Sequence, residues 1–87
     1  MTHARTDNNH ASIRDGLRKH GVYTVDTHEL KGGFPDLLCC HGGMVTLLEV
    51  KSPGEGLTPA EKKFFAVYPG RVVIVHDLAE ALQVFGK

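Results

Sequence analysis

The chain has 87 residues, 41% of them apolar and 23% charged, and its formal net charge is zero with the histidines neutral. These values fit one soluble globular domain with a modest core that needs no disulfide or metal staple. They exclude a protein that coats nucleic acid by bulk positive charge, but not a local basic patch or a site that meets phosphate through a metal ion. No apolar run approaches the ~20 residues of a membrane span. The opening MTHARTDNNH also lacks the apolar segment of a secretory signal. A cytoplasmic location with no membrane partner is therefore expected.

In chain order, residues 1–6 read as a flexible tail and 7–87 as the folded domain. Asp7 is placed to cap a helix reaching about Lys19, with Gly21 just past its end. The inner face of that helix is expected at His10, Ile13, Leu17 and His20. VYTVDTH (22–28) reads as a strand. Residues 35–41 and 44–51 read as two more, separated by Gly42-Gly43, and their adjacent Cys39 and Cys40 read as small hydrophobes rather than a disulfide or zinc pair. SPGEGLT (52–58) is a loop. Thr58, Pro59 and Glu61 then have the spacing of a capping box with proline at the first helical position, starting a helix that runs to about Tyr68. RVVIV (71–75) is apolar throughout, as expected of a buried central strand. Asp77 caps a last helix with a stripe of Leu78, Ala81, Leu82 and Phe85. The order is α-β-β-β-α-β-α, an α/β fold with a mixed central sheet flanked by helices.

Charge inside the two middle strands is the informative feature. Gly-Gly suits a two-residue hairpin turn, because both residues can take positive φ. With that turn, His41 faces Met44 and Asp36 lies opposite Glu49 on the face shared by Leu38, Cys40, Val45 and Leu47. Opposed carboxylates repel. Such a pair must either hold a proton or bind a hard cation such as Mg²⁺ through its oxygens. Lys51, two residues beyond Glu49, leans to the same face. Two readings stand at this point: a catalytic set of two carboxylates, a metal and a lysine, or a surface Glu49–Lys51 salt bridge with Asp36 as a strand-end residue. A three-residue turn would point Glu49 away from Asp36.

The run from GGFPDLL through LLEVK and LTPAEKKF to VVIVHDLAEAL resembles the virus-type replication-repair nuclease (VRR-NUC) group of the PD-(D/E)XK superfamily, in its small stand-alone phage form. The N-terminal DNNHASIRDGLRKHG is similar to the first helix of such proteins, so the likeness spans about residues 7 to 83. It implies a restriction-endonuclease-like fold and a Mg²⁺- or Mn²⁺-dependent endodeoxyribonuclease, resolvase-like on branched DNA such as Holliday junctions and homodimeric. The location implied for a phage-encoded member is the host cytoplasm. It further implies Asp36 and Glu49 as metal ligands together with the Val50 carbonyl, and Lys51 as the catalytic lysine. His10 stands where the family often carries a glutamate that helps the metal site. It is accordingly a candidate catalytic residue, with a half-buried helix residue as the alternative. Glu61 replaces the family's frequent glutamine and is read as a capping residue.

The basic side of the first helix, Arg14, Arg18 and Lys19, and the loop Lys31, Gly32 and Gly33 are candidate DNA contacts. Glycines there permit close approach of a phosphate. Phe34, Phe64, Phe65 and Tyr68 are candidates for part of a dimer interface. Two other function classes compete. One is a catalytically inert nucleic-acid-binding or assembly module on the same fold. The other is a hydrolase for a small phosphate substrate, which lacks a Gly-rich phosphate cradle at a helix start.

Overall fold

Ile13 and Leu17 stand one helical turn apart, so they share a face, and both are fully buried. They belong to helix α1 (Thr2–Lys19) in a computed structural model that describes residues 2–87, with side chains described from Asn9 onward. The helix begins well before the expected start. Residues 2–6, expected as a tail, are helical, and Asp7 lies inside the helix instead of capping it. Neither Gly nor Pro occurs before Gly16, so no breaker stops the helix from propagating toward the N-terminus. Met1 lies outside the described residues. The other end closes as expected. Gly21 adopts φ +82, its N–H donates to the Arg18 carbonyl at 3.1 Å, and the Val22 N–H donates to the Leu17 carbonyl at 3.0 Å. This is the paired-bond helix stop that glycine favours. His20 is exposed beyond that end, so only Ile13 and Leu17 of the expected stripe are fully buried.

Strands β1 (Tyr23–Asp26), β2 (Leu37–His41) and β3 (Met44–Val50) form an antiparallel meander, and β4 (Arg71–Val75) joins β3 in parallel after helix α2 (Pro59–Val67). Helix α3 (Leu78–Val84) completes the order α-β-β-β-α-β-α around a four-stranded mixed sheet. Gly42 and Gly43 both take positive φ, 60° and 78°. His41 pairs with Met44 and Leu37 with Leu48, which is the register a two-residue turn dictates.

Strand alternation then separates two faces. Leu37, Cys39, Leu48 and Val50 point to one side, where Ile13, Leu17, Val22, Val75 and Ala81 complete the buried core. Leu78, Leu82 and Phe85 of the α3 stripe pack against it. The opposite face carries Asp36, Leu38 and Cys40 beside Glu49, Leu47 and Val45. Helix α2 reaches only part of it and has no buried residue of its own. Tyr23, Val25, Val45 and Ile74 consequently stay 37–67% exposed. The aromatic side chains Phe34, Phe64 and Tyr68 form a half-buried stack instead of joining the main core.

Strand β4 departs from its expected central position. It is an edge strand, paired only with β3, and of its residues only Val75 is buried. The apolar run reflects packing of Val73 and Val75 on α3's side, while Ile74 faces the thinly covered side. Among the described residues, no helix is long and apolar enough to cross a membrane.

Helix α2 is held by its own start and by a close backbone approach. Thr58 caps it with the complete capping box: the Glu61 N–H donates to Thr58 Oγ1 at 3.2 Å, and the Thr58 N–H donates to Glu61 Oε1 at 2.8 Å. Gly33 packs directly on the first turn of α2, where a Cβ would collide with the Ala60 carbonyl, whereas Gly32 opens onto free space. Both glycines have φ +78, so alanine at either carries a similar left-handed penalty of about 1–2 kcal/mol. Gly32→Ala should therefore lower the melting temperature by several degrees. Gly33→Ala should lower it distinctly further, because α2 must also move. Equal thermal shifts for the two variants would show that the Gly33–Ala60 approach contributes nothing.

Candidate active site

At the end of the sheet where β1 and β3 finish and β2 begins, side chains from both sides of the sheet line a cavity of about 430 Å³. One wall holds Asp36, Glu49, Val50 and Lys51 with Glu55 and Glu61, and the other holds His10, Arg14, Asp26 and His28. The register brings Asp36 beside Glu49 as the hairpin spacing requires. Asp36 is fixed at both ends: its N–H donates to the Leu48 carbonyl at 3.0 Å, and its Oδ2 accepts the Val50 N–H at 2.8 Å. Glu49 is 3% exposed, and its Oε1 is fully buried without a hydrogen-bond partner.

Glu49 and Lys51 do not form the exposed salt bridge that the spacing also permitted. Lys51 is 4% exposed and its Nζ lies among three carboxylates, 2.7 Å from Glu61 Oε1, 3.5 Å from Glu55 Oε2 and 3.7 Å from Glu49 Oε2. Burial alone would lower the pKa of its ammonium. The Glu61 hydrogen bond and the charges of Glu61, Glu49 and Glu55 outweigh that and raise it, so Lys51 stays protonated at neutral pH. Glu61 also feels burial, which opposes ionisation, but the Lys51 and Thr58 hydrogen bonds prevail and hold it below the usual range. Glu49 is pushed the other way. Burial first, then the charges of Asp36 and Glu61, raise it from 4.5 to about 8 against the pull of Lys51.

Five carboxyl side chains thus line the cavity against two permanent cations, Lys51 and Arg14. A bare phosphate would be repelled from it. A hard divalent cation matches the Asp36–Glu49 oxygens, and the buried, unpartnered Glu49 Oε1 is the kind of polar atom that calls for such a ligand.

On the other wall, His10 Nε2 lies 3.1 Å and Arg14 3.0 Å from Asp26 Oδ2, and His28 Nδ1 lies 2.6 Å from Asp26 Oδ1. Burial opposes ionisation of Asp26, but its hydrogen bonds to His28 and Arg14 and the close approach of His10 keep it far below the usual carboxylate range. Arg14 is therefore committed to Asp26, and to Asp15 at 2.8 Å, instead of standing free as a basic stripe. Arg18 likewise bonds the Thr24 carbonyl at 3.0 and 3.1 Å. Of the expected DNA contacts, Lys19, Lys31 and Gly32 are exposed, while the missing side chain of Gly33 is accounted for by α2.

Sequence reasoning did not find Asp26, His28 or Glu55 as lining residues. Asp26 and His28 read as a strand end, and Glu55 sits in a loop without periodicity. A signal existed for Glu61, since a capping glutamate in the first turn of α2 sits close to where β3 ends.

The Glu49 shift has a consequence for stability. The unfolded chain titrates this group near 4.5 and the folded chain near 8. Between those values the folded state holds a proton that the unfolded state releases. Its stabilising effect is full below the lower value and is lost as pH rises through the upper one. In chelator, the melting temperature should fall between about pH 5 and pH 9, and Glu49→Gln should flatten that fall. The raised His28 acts in the same direction, so the difference between wild type and Glu49→Gln isolates the buried carboxyl. Parallel profiles for the two proteins would refute the assignment.

No protein-family model, no curated protein and no solved structure matches the chain, so a reading of its function rests on the geometry of this cavity.

Proposed function

We propose that the protein is a metal-dependent DNA endonuclease that hydrolyses phosphodiester bonds. The observation that carries this reading is the acid-rich cavity in which a buried lysine stands beside the paired carboxyls of Asp36 and Glu49. The resemblance of PDLL and LLEVK to the VRR-NUC pattern supports it from the sequence side. Asp36 and Glu49, with the Val50 carbonyl, would hold Mg²⁺ or Mn²⁺. That ion would supply Lewis acidity toward a phosphate oxygen and lower the pKa of a bound water.

Lys51 is the chain's own charge at the site. Kept protonated by Glu61, Glu55 and Glu49, it is a hydrogen-bond donor and a fixed positive charge, not a general base. It meets charge that builds on the phosphate as the bond breaks. Glu61 and Glu55 are positioning residues: they hold the ammonium at the end of β3, and α2 is anchored so that Glu61 stays in reach. Asp36 orients the site by bonding the Val50 N–H. Burial raises the Glu49 carboxyl to about 8, so a cation bound there would displace its proton.

Lys51→Ala and Asp36→Asn should each lower Mg²⁺- or Mn²⁺-dependent cleavage by at least ~100-fold, the scale of losing one preorganised charge-stabilising group. Lys51→Ala should leave DNA binding in place. Either variant cutting at the wild-type rate would remove that residue from the site.

The partly covered sheet face favours a second copy of the chain. Tyr23, Val25, Val45 and Ile74 leave apolar side chains exposed on it, and a stable interface needs roughly 800 Å² from each partner. A two-fold dimer would present two cavities to a two-fold branched substrate. It should therefore nick four-way junctions on opposed strands in preference to linear duplex. A monomer by light scattering at micromolar concentration, together with equal cutting of linear DNA, would overturn this part of the proposal.

A further inference from the structure

The wall opposite Lys51 has a different donor chemistry from the Asp36–Glu49 pair. His10 comes from α1, Asp26 from the last position of β1, and His28 from the turn after it. One ligand atom from each lies within 4.8 Å of the other two. Two imidazoles and one carboxylate converging from three pieces of backbone are the set used by imidazole-preferring divalent metals.

Three further features bear on whether the set can bind. His10 Nε2 is buried and makes no well-directed hydrogen bond, even though Asp26 Oδ2 is 3.1 Å away. A buried ring nitrogen without a partner is costly, and coordination would satisfy it. Zinc-type ions bind nitrogen and oxygen at about 2.0–2.2 Å, so ligand atoms sharing one ion stand roughly 3–4 Å apart. The His28–Asp26 separation of 2.6 Å is a proton-bridged distance and must widen slightly. His28 can yield, because its side chain is 51% exposed and it lies outside any helix or strand. Finally, Arg14 occupies Asp26 Oδ2 at 3.0 Å, while Oδ1 is engaged by His28 alone, through its main-chain N–H at 3.2 Å and its ring at 2.6 Å. The charge of Arg14 is answered by Asp15 at 2.8 Å. Arg14 thereby orients the ligating carboxylate in the way outer partners of metal ligands do.

We propose that His10, Asp26 and His28 form a second metal site, for a divalent transition ion with imidazole preference such as Zn²⁺, Co²⁺ or Ni²⁺, across the cavity from the oxygen-rich Asp36–Glu49 pair. An ion there adds positive charge to a wall that otherwise carries only Arg14. It offers a hold for an anionic group entering the acid-rich cavity. Nitrogen-preferring ions should occupy this set and hard ions the Asp36–Glu49 pair, whether or not the protein cuts DNA.

The test uses the full chain with Co²⁺ followed by visible d–d absorption, and with Zn²⁺ followed by calorimetry. Wild type should show one site with nitrogen-ligand absorption. Asp36→Asn and Glu49→Gln should retain it. His28→Ala, at an exposed position where folding is not at risk, and His10→Ala should each weaken binding at least ~tenfold. No absorption or heat in wild type would overturn the proposal. So would wild-type binding in His28→Ala, which would place the ion on His20, His41 or His76, or loss of the signal in Asp36→Asn, which would place it on the carboxylate pair. A nuclease that fails to cut with Mg²⁺ leaves these results unaffected.

Discussion

The tight turn at Gly42-Gly43 decides what each face of β2 and β3 carries. With His41 facing Met44, every second residue of the hairpin goes to the core and every other one to the open face. Slipping the pairing by one residue would turn Leu37, Cys39 and Leu48 outward and bury Asp36 against α1. The apolar core therefore enforces the alignment that sets two carboxyls side by side. Burial of Leu37 and Leu48, at roughly 1.5–3 kcal/mol each, favours that register.

The repulsion is then managed locally. Lys51 could not remain a buried ammonium without partners, and Glu61 and Glu55 supply them. Glu61 does two things at once: its Oε1 accepts the Thr58 N–H that starts α2 and also the Lys51 ammonium. A glutamine in that place would keep the cap but lose the charge. The glutamate ties the start of α2 electrostatically to the end of β3, which compensates for a helix that buries no residue of its own. The stability of this half of the molecule is thus coupled to the site, while α1 and α3 stabilise the other half through apolar packing.

The two walls of the cavity are built by different parts of the chain and have opposite characters. Glu49 and Lys51 sit on or next to β3 and Asp36 just ahead of β2, all in rigid backbone, with oxygen donors suited to hard ions. His10, Asp26 and His28 come from a helix, a strand end and a turn, with nitrogen donors suited to softer ones. Arg14 stands at the second wall and is neutralised by its two aspartates, so the cavity as a whole remains acid-rich.

The sequence by itself determined the element order, the hairpin register and the helix signals at Gly21, Thr58 and Asp77, because each rests on interactions between near neighbours. It also determined that Asp36, Glu49 and Lys51 share a face, since that follows from a two-residue turn and strict alternation. The tertiary structure decided the rest. It put β4 at the sheet edge, because a strand's neighbours are chosen by the path of α2 and not by its own apolar run. It extended α1 to Thr2, where nothing breaks the helix and no local signal marks its start. It converted an apparent surface salt bridge into a buried ammonium held by three carboxylates, and it brought His10 against Asp26 and His28. The His10 meetings join residues 16 and 18 positions apart across different elements, and only packing of α1 on the sheet gives them a distance.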